Sequence, residues 1–151
     1  MSEISLSEFA DKITEIMPVI MKEFARRQAN ELFKSKITLP QFLILNFLHN
    51  SGESKMKELA KFMKVTTAAM TGIVDRLVRD KYVARHYDPK DRRIIKINLT
   101  AKGNNLVNKA SQERRDMIIS VFGKISEEER RDYLRILTHI YEILTTEQKE
   151  G

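Results

Sequence analysis

The sequence predicts a mainly α-helical fold of the α+β kind, with six helices and one two-stranded β-hairpin. Over most of the chain, apolar residues recur at steps of three and four, which is the spacing of amphipathic helices. The runs 82–87 and 94–99 differ, because Ile95, Ile97 and Leu99 occupy every second position of the later run. Aspartate and proline between the runs favour a tight turn, so the runs are expected to pair.

Length and composition indicate one globular domain, residues 1–151. The chain is 42% hydrophobic and 32% charged, which allows a substantial core under a solvated surface. It contains no cysteine, which excludes disulfides, thiolate zinc sites and thiol-based redox sensing. No apolar run is long enough to span a membrane, and the N-terminus lacks the pattern of a secretory signal. We therefore expect a cytoplasmic protein that does not associate with membranes.

Basic residues are concentrated in the middle third of the sequence. The segment 55–103 holds 13 basic and five acidic residues, a net charge of +8, whereas the remainder holds 14 and 16, a net charge of −2. A solvated surface can be basic without any partner. A basic segment flanked by nearly neutral ones instead favours a polyanion as partner.

The N-terminal part, residues 5–36, is predicted to form a long helical arm. Ser5 and Glu8 have the spacing of a capping box, and the apolar stripe from there predicts a helix over 5–34. Pro18 lies inside this stripe and should kink or divide the helix, because it lacks an amide hydrogen. A second capping box, from Thr38 to Gln41, opens a helix that runs to about residue 50.

Residues 38–103 have the order of a winged helix. A short helix is predicted over about 56–63, and Thr66 is a good N-cap for a second helix that reaches about Lys81. Two such helices with a short link are typical of a helix-turn-helix. The predicted hairpin follows directly, and this combination is more specific than either part alone.

The C-terminal part is again helical. Thr100 begins a connecting helix over 100–123, and the capping box from Ser126 to Glu129 opens a last helix within 124–148. The segments 5–36 and 124–148 carry more apolar surface than a small winged helix needs. We therefore expect them to serve as dimerisation helices that pack against a second copy of the chain.

The residues from Ile37 to Gly103 resemble the MarR family of bacterial and archaeal transcriptional regulators, and the helix order extends the resemblance over nearly the whole chain. The segments that carry it are Ile37–Leu45, Lys57–Ala60, Val74–Leu77, Tyr82–Arg85, Asp88–Arg93 and Leu99–Gly103. The resemblance implies a homodimer that grips a pseudo-palindromic DNA site, most often as a repressor. It also implies, for many members, release of DNA when a small aromatic ligand binds. Peroxide sensing through cysteine is excluded here.

The helix after Thr66 is the predicted recognition helix. Its buried face uses positions 70, 73, 74 and 77, so the opposite face is left for the major groove. The candidates for base contact are Thr66, Thr67, Ala68, Thr71 and Gly72. Many relatives carry serine at the position of Ala68 and a long polar residue at that of Gly72. The methyl-rich tip that results suits thymine, and the glycine indicates either close approach to DNA or ordinary packing.

Three basic residues are candidates for phosphate contact, namely Arg76, Lys90 and Arg92. For Arg76 an ion pair with Asp80 or with a carboxylate near Asp75 is an equally good interpretation. Further lysines, at 55, 57, 61 and 64, are either phosphate neighbours or solvated charges.

At the tip of the wing, the resemblance implies that Asp91 orients Arg93, which enters the minor groove. A carboxylate that holds a guanidinium in one rotamer reduces the entropy lost on binding. The simpler alternative is that Asp91 closes the turn and Arg93 is solvated. Arginine in the minor groove favours narrow A·T-rich tracts, so an A·T-rich operator is predicted.

Catalytic and metal-binding patterns are not evident in the sequence. The three histidines are far apart and lack the spacing of a metal site, and no nucleophile–base pattern or phosphate loop stands out. We expect a DNA-binding regulator that needs no cofactor and is not an enzyme. The alternative function is a winged-helix protein-interaction module without DNA binding.

Overall fold

The computed structural model describes residues 3–28, 32 and 34–147. Across these residues the chain forms six helices and a small antiparallel sheet, which confirms the predicted mainly α fold with a hairpin. In chain order the elements are α1 (Leu6–Gln28), α2 (Leu39–Ser51), β1 (Ser54–Lys55), α3 (Met56–Met63), α4 (Thr67–Arg79), β2 (Val83–Tyr87), β3 (Ile95–Leu99), α5 (Ala101–Phe122) and α6 (Glu127–Glu147).

The predicted capping boxes are present at the starts of α1, α2 and α6. At α1, the amide of Glu8 donates to the Ser5 hydroxyl over 3.2 Å, and the Ser5 amide donates to the Glu8 carboxylate over 2.9 Å. The same reciprocal bonds join Thr38 to Gln41 before α2 and Ser126 to Glu129 before α6. The Ser5 hydroxyl also donates to the Glu8 carboxylate over 2.7 Å, and this bond, followed by that of the Ser5 amide, lowers the pKa of Glu8. The pKa of Glu129 is lowered chiefly by the bond from the Ser126 amide, because such bonds favour the ionised carboxylate.

Helix α1 runs through Pro18 without division. The division that the sequence allowed is therefore not observed, since the helix retains its other turns on both sides of the proline. Its predicted continuation to residue 34 falls partly outside the described residues, because 29–31 and 33 are not described.

The core of the winged helix lies between the helices and the sheet. Strand β3 is central, with β1 and β2 antiparallel on either side. Strand β1 was not predicted and joins the two strands of the predicted hairpin. It contains only two residues, which is too short for a period-two pattern to appear in the sequence. The fully buried side chains come from α2, α3, α4, α5, β2 and β3 and include Ile44, Leu45, Leu59, Met70, Leu77, Val83, Ile97 and Val107.

The chain forms two units, Met1–Glu113 and Arg114–Gly151. The first contains the winged helix. Within the second, the rings of Phe122 and Tyr133 lie 5.2 Å apart, and the Arg130 guanidinium donates to the carbonyl oxygens of Phe122 and Ile125 over 3.1 and 2.5 Å. Arg130 thereby satisfies carbonyl groups that the end of α5 leaves open.

Large apolar side chains are exposed on α1 and on α6. Leu6 is 84% exposed at the start of α1 and Leu134 is 64% exposed on α6. Others along the two helices are Phe9, Ile13, Ile16, Met17, Val19, Ile20, Met21, Tyr133, Ile136, Leu137, Ile140, Tyr141, Ile143 and Leu144. In the part of the chain that the structure describes, no helix combines the length and apolar character needed to cross a membrane.

Candidate nucleic-acid interface

The N-terminal part of α4, residues 66–72, is exposed on its outer side, and we call it the tip of α4. Thr66 caps the helix as predicted, since its hydroxyl accepts the Ala69 amide over 3.1 Å. Met70, Val74 and Leu77 are fully buried and hold the helix by its inner face. Thr67, Ala68 and Gly72 are consequently exposed, and Thr71 is half-buried. The predicted base-reading residues therefore lie together on the free side of the helix.

The hydroxyl of Thr71 is engaged within the helix. It donates to the carbonyl oxygen of Thr67 over 2.9 Å, a bond that threonine makes often inside helices. Its donor is therefore occupied in the free chain. With Ala68 beside it, the tip offers mainly methyl groups, which matches the chemistry of the thymine methyl in the major groove.

The turn between α3 and α4 sets the angle between the two helices. Lys64 adopts a left-handed conformation with φ of 54°, and the amide of Val65 donates to the Ala60 carbonyl oxygen over 3.1 Å. This left-handed residue ends α3 with its last carbonyl groups satisfied. A lysine at this position also adds a charge beside the tip of α4.

The other end of α4 is held by the first turn of α5, a contact that sequence reasoning did not identify. The Thr100 hydroxyl donates to the Lys81 carbonyl oxygen over 2.6 Å, and the Lys102 ammonium donates to that of Asp80 over 2.8 Å. Lys102 also lies 4.4 Å from the centre of the Tyr82 ring. The segment 99–103, in which the sequence indicated only the end of a strand, the start of a helix and the family resemblance, therefore supports the C-terminal end of α4.

The wing turn is closed by two aspartates. The carboxylate of Asp88 accepts the Lys90 amide over 2.8 Å, and that of Asp91 accepts the Arg93 amide over 3.0 Å. The main chain adds a bond of 2.9 Å from the Asp88 amide to the Ile94 carbonyl oxygen. Hydrogen bonds to its carboxylate lower the pKa of Asp88. The bond from the Lys90 amide has the largest effect, and the bond from the Lys96 ammonium has the next largest.

The carboxylate of Asp91 is not paired with the Arg93 guanidinium in this structure. Asp91 contacts the main chain of Arg93, because a short carboxylate readily reaches the amide two residues on. No ion pair within 4.0 Å joins the two residues, which agrees with the alternative that Asp91 closes the turn. Lys90, Arg92 and Arg93 are all exposed, and none of them has an ion-pair partner within the described part of the chain.

Arg76 is exposed and has no ion-pair partner among the described residues, and its acidic neighbours are engaged elsewhere. Asp75 pairs with Arg85 on β2, and Asp80 pairs with Arg79 over 3.1 Å. The second pair lowers the pKa of Asp80 and raises that of Arg79. The alternative partners that the sequence offered to Arg76 are thus taken, which leaves its guanidinium available to an external anion.

A network of side chains joins the base of the wing to the segment before β1. Glu53 accepts from the ammonium of Lys96 over 3.2 Å and lies 2.9 Å from Nε2 of His86. Lys96 also lies 3.0 Å from the Asp88 carboxylate, and Nδ1 of His86 lies 3.1 Å from the side-chain oxygen of Asn98. Glu53 is 43 residues from Lys96, so only the register of β1 with β3 could have revealed the contact.

His49, at the end of α2, lies 2.8 Å from the side-chain oxygen of Asn104 on α5. Within the described residues, no group of three or more metal-ligating side chains comes together.

Comparison with known proteins identifies the family. The sequence profile described as MarR family matches residues 37–95, from just before α2 to the start of β3. A solved MepR-like protein, in complex with pseudoligands, is 34% identical, with 89% of this chain and 94% of that chain covered and a TM-score of 0.54. The chain belongs to the MarR family. Its winged helix is the DNA-binding fold of these transcriptional regulators, which are not enzymes.

Two further relatives are similar over all or nearly all of the chain. The HTH-type transcriptional repressor MdtR of Bacillus subtilis (strain 168) is 25% identical over 151 residues, which is 100% of this chain and 92% of MdtR. A MarR family protein from Bacillus stearothermophilus is 25% identical with a TM-score of 0.79, and the match covers 94% of this chain and 99% of that one.

Proposed function

We propose that this chain is a ligand-responsive transcriptional repressor that binds an A·T-rich, pseudo-palindromic operator as a homodimer. The observation that carries the proposal is a group of exposed cations on α4 and on the wing that have no ion-pair partner among the described residues. They include Arg76, in the last turn of α4, and Lys90, Arg92 and Arg93 on the wing. Unneutralised cations next to a projecting helix suit a duplex, whose phosphates supply affinity and whose groove admits the helix.

Each part of the surface has a distinct task in this proposal. The tip of α4, from Thr66 to Gly72, enters the major groove and reads thymine methyls. Arg93 enters the minor groove at the flank, with Asp91 holding the turn that presents it. Arg76, Lys90 and Arg92 bind phosphates. An arginine in the minor groove is attracted to the strong negative potential of narrow A·T tracts. Arg93 and the tip of α4 therefore both favour A·T-rich DNA.

A second copy of the chain is the proposed cover for α1 and α6. Their side chains expose apolar surface along most of both helices, and such surface in a soluble protein marks an interaction site. A twofold-symmetric dimer also explains a pseudo-palindromic site, because two recognition helices then meet two equivalent half-sites. The proposed role as a repressor is supported by the similarity to MdtR, which is named as a repressor, and by the family resemblance.

An aromatic acid is the proposed class of effector. An open pocket in the first unit is lined by Ser35, Tyr82, Leu106, Asn105 and the ammonium groups of Lys102 and Lys109. A carboxylate can pair with the lysines while the ring of the ligand lies against the small apolar surface that the mostly buried Tyr82 and Leu106 leave accessible. Lys102 also holds the Asp80 carbonyl oxygen behind α4, so a ligand that draws Lys102 away would loosen the recognition helix.

Selection of binding sites from random duplexes, with and without salicylate, tests the proposal. The full chain should recover A·T-rich palindromes whose half-sites lie about one helical turn apart, on the order of 34–36 Å. Affinity should fall steeply with salt and fall again when salicylate is present. A G·C-rich consensus would contradict the proposed contacts of the α4 tip with thymine and of Arg93 with the minor groove. Affinity indifferent to salt, or a monomer at micromolar concentration, would favour a protein-interaction module.

A further inference from the structure

We infer that Glu53 and Lys96 form an anchor that positions the wing for DNA binding. The inference deepens the proposed function and rests on its assignment of Arg93 to the minor groove. Neither residue is itself a groove contact. Their effect on DNA runs through the turn that carries the wing arginines.

The anchor fixes the first residue of the turn. Lys96, on β3, lies 3.0 Å from one carboxylate oxygen of Asp88, while the other oxygen accepts the Lys90 amide over 2.8 Å. Both oxygens of Asp88 are therefore occupied, one by the strand and one by the turn. A lateral shift of Lys96 would carry Asp88 with it, and Arg92 and Arg93 lie four and five residues further along the chain.

Glu53 connects this strand to the body of the winged helix. It directly precedes β1, and its two carboxylate oxygens lie 3.2 Å from Lys96 and 2.9 Å from His86. His86 and Lys96 are cross-strand partners on β2 and β3, so Glu53 holds both strands of the hairpin at once. These contacts lower the pKa of Glu53, chiefly through Lys96, and raise that of Lys96, chiefly through Asp88.

The side chains are partly shielded from solvent, which favours a persistent arrangement. The Lys96 side chain is 24% exposed and that of Asp88 is 17% exposed, both less open than the ion pairs of α1 and α6, while Glu53 is 48% exposed. A networked, partly buried cation loses less entropy on holding its partners than two free surface chains do. The hairpin is thereby held at the angle at which its arginines meet the duplex.

Removal of the Glu53 charge distinguishes an effect on the position of the wing from a direct electrostatic effect on DNA binding. A binder of a polyanion should bind more tightly when an acidic residue near its surface is lost. The anchor predicts the opposite sign: Glu53→Ala should weaken operator binding about three- to tenfold, the range of an ordinary coupling between contacting residues. Lys96→Met should weaken it to a similar degree.

Glu58→Gln is the matched control for charge. Glu58 lies in the same basic segment and accepts the Lys55 amide at the start of α3, a capping role that glutamine can also fill. This variant should bind the selected duplex as tightly as the wild type or more tightly. Thermal unfolding of each variant verifies that the protein is folded at the assay temperature.

A double-mutant cycle with Arg93→Ala decides whether the anchor acts through the wing. In the Arg93→Ala background, Glu53→Ala and Lys96→Met should have clearly smaller effects than in the wild type, because only the contacts of Lys90 and Arg92 then depend on the turn. Tighter binding by Glu53→Ala, or equal losses with and without Arg93, would overturn the anchor alone. Unchanged affinity of Arg93→Ala would instead overturn the proposed wing contact and the anchor with it.

Discussion

A β-carbon on Gly103 would overlap the main-chain carbonyl oxygen of Tyr82 and would lie 3.1 Å from Cδ2 of Leu99. The first turn of α5 thus packs directly on the backbone that leaves α4. Backbone cannot move aside as the end of a flexible side chain can. Gly103→Ala should therefore lower the free energy of unfolding by about 1–3 kcal/mol. Urea unfolding monitored by circular dichroism measures this, and an unchanged midpoint would show that the packing is looser than described.

Gly72→Ala should have the opposite effect on the fold. A β-carbon there meets nothing within 4 Å, and the residue lies inside α4. Alanine should stabilise the helix by up to about 1 kcal/mol through propensity. If Gly72 is retained for close approach to DNA, the same variant should bind the operator several-fold more weakly. Equal affinity in a stabilised variant would remove Gly72 from the interface.

Arg76→Gln and Arg79→Gln form a matched pair one helical turn apart. Arg76 has no ion-pair partner within the described part of the chain, whereas Arg79 is held by Asp80 over 3.1 Å. Loss of a phosphate contact should reduce the slope of log K against log salt by about 1. We expect that change for Arg76→Gln and a smaller one for Arg79→Gln. The same slope for wild type and Arg76→Gln would assign Arg76 to the solvent.

The wing turn should contribute stability that depends on pH. Hydrogen bonds from Lys90 and the ammonium of Lys96 lower the pKa of Asp88 in the folded chain. Its ionised form therefore stabilises the fold above its ordinary pKa, and the contribution is lost as the pH falls below about 4 towards the lowered value. Asp88→Asn should be less stable than the wild type at pH 7, and the difference should shrink as the pH approaches 3. A constant difference in urea unfolding would contradict this role.

Local signals predicted the helix starts well. Ser5, Thr38, Thr66 and Ser126 each cap a helix in the structure, because a capping bond spans only three residues and its partners can be recognised in sequence. The inner face of α4 was also predicted from a local signal, the helical spacing of its apolar residues. Met70, Val74 and Leu77 are buried and Ile73 is half-buried, as that spacing indicated.

Contacts between distant side chains were not predictable in this way. The pair Asp75–Arg85 and the network around Glu53 depend on the register of strands and on how α4 meets β2. Charge composition identified a basic segment but could not separate its engaged cations from its free ones. That distinction, which leaves Arg76 and Arg93 unpaired among the described residues, required the folded arrangement.

Hydroxyl-radical footprinting of the selected duplex, with wild type and Arg93→Ala, tests the central claim most directly. The wild-type dimer should protect two half-sites about one helical turn apart, on the order of 34–36 Å, with flanking protection in the minor groove. Arg93→Ala should lose the flanking minor-groove protection and retain the half-sites at higher protein concentration. A single protected patch would contradict binding as a dimer to two half-sites. A footprint that does not change in Arg93→Ala would contradict the minor-groove contact of the wing.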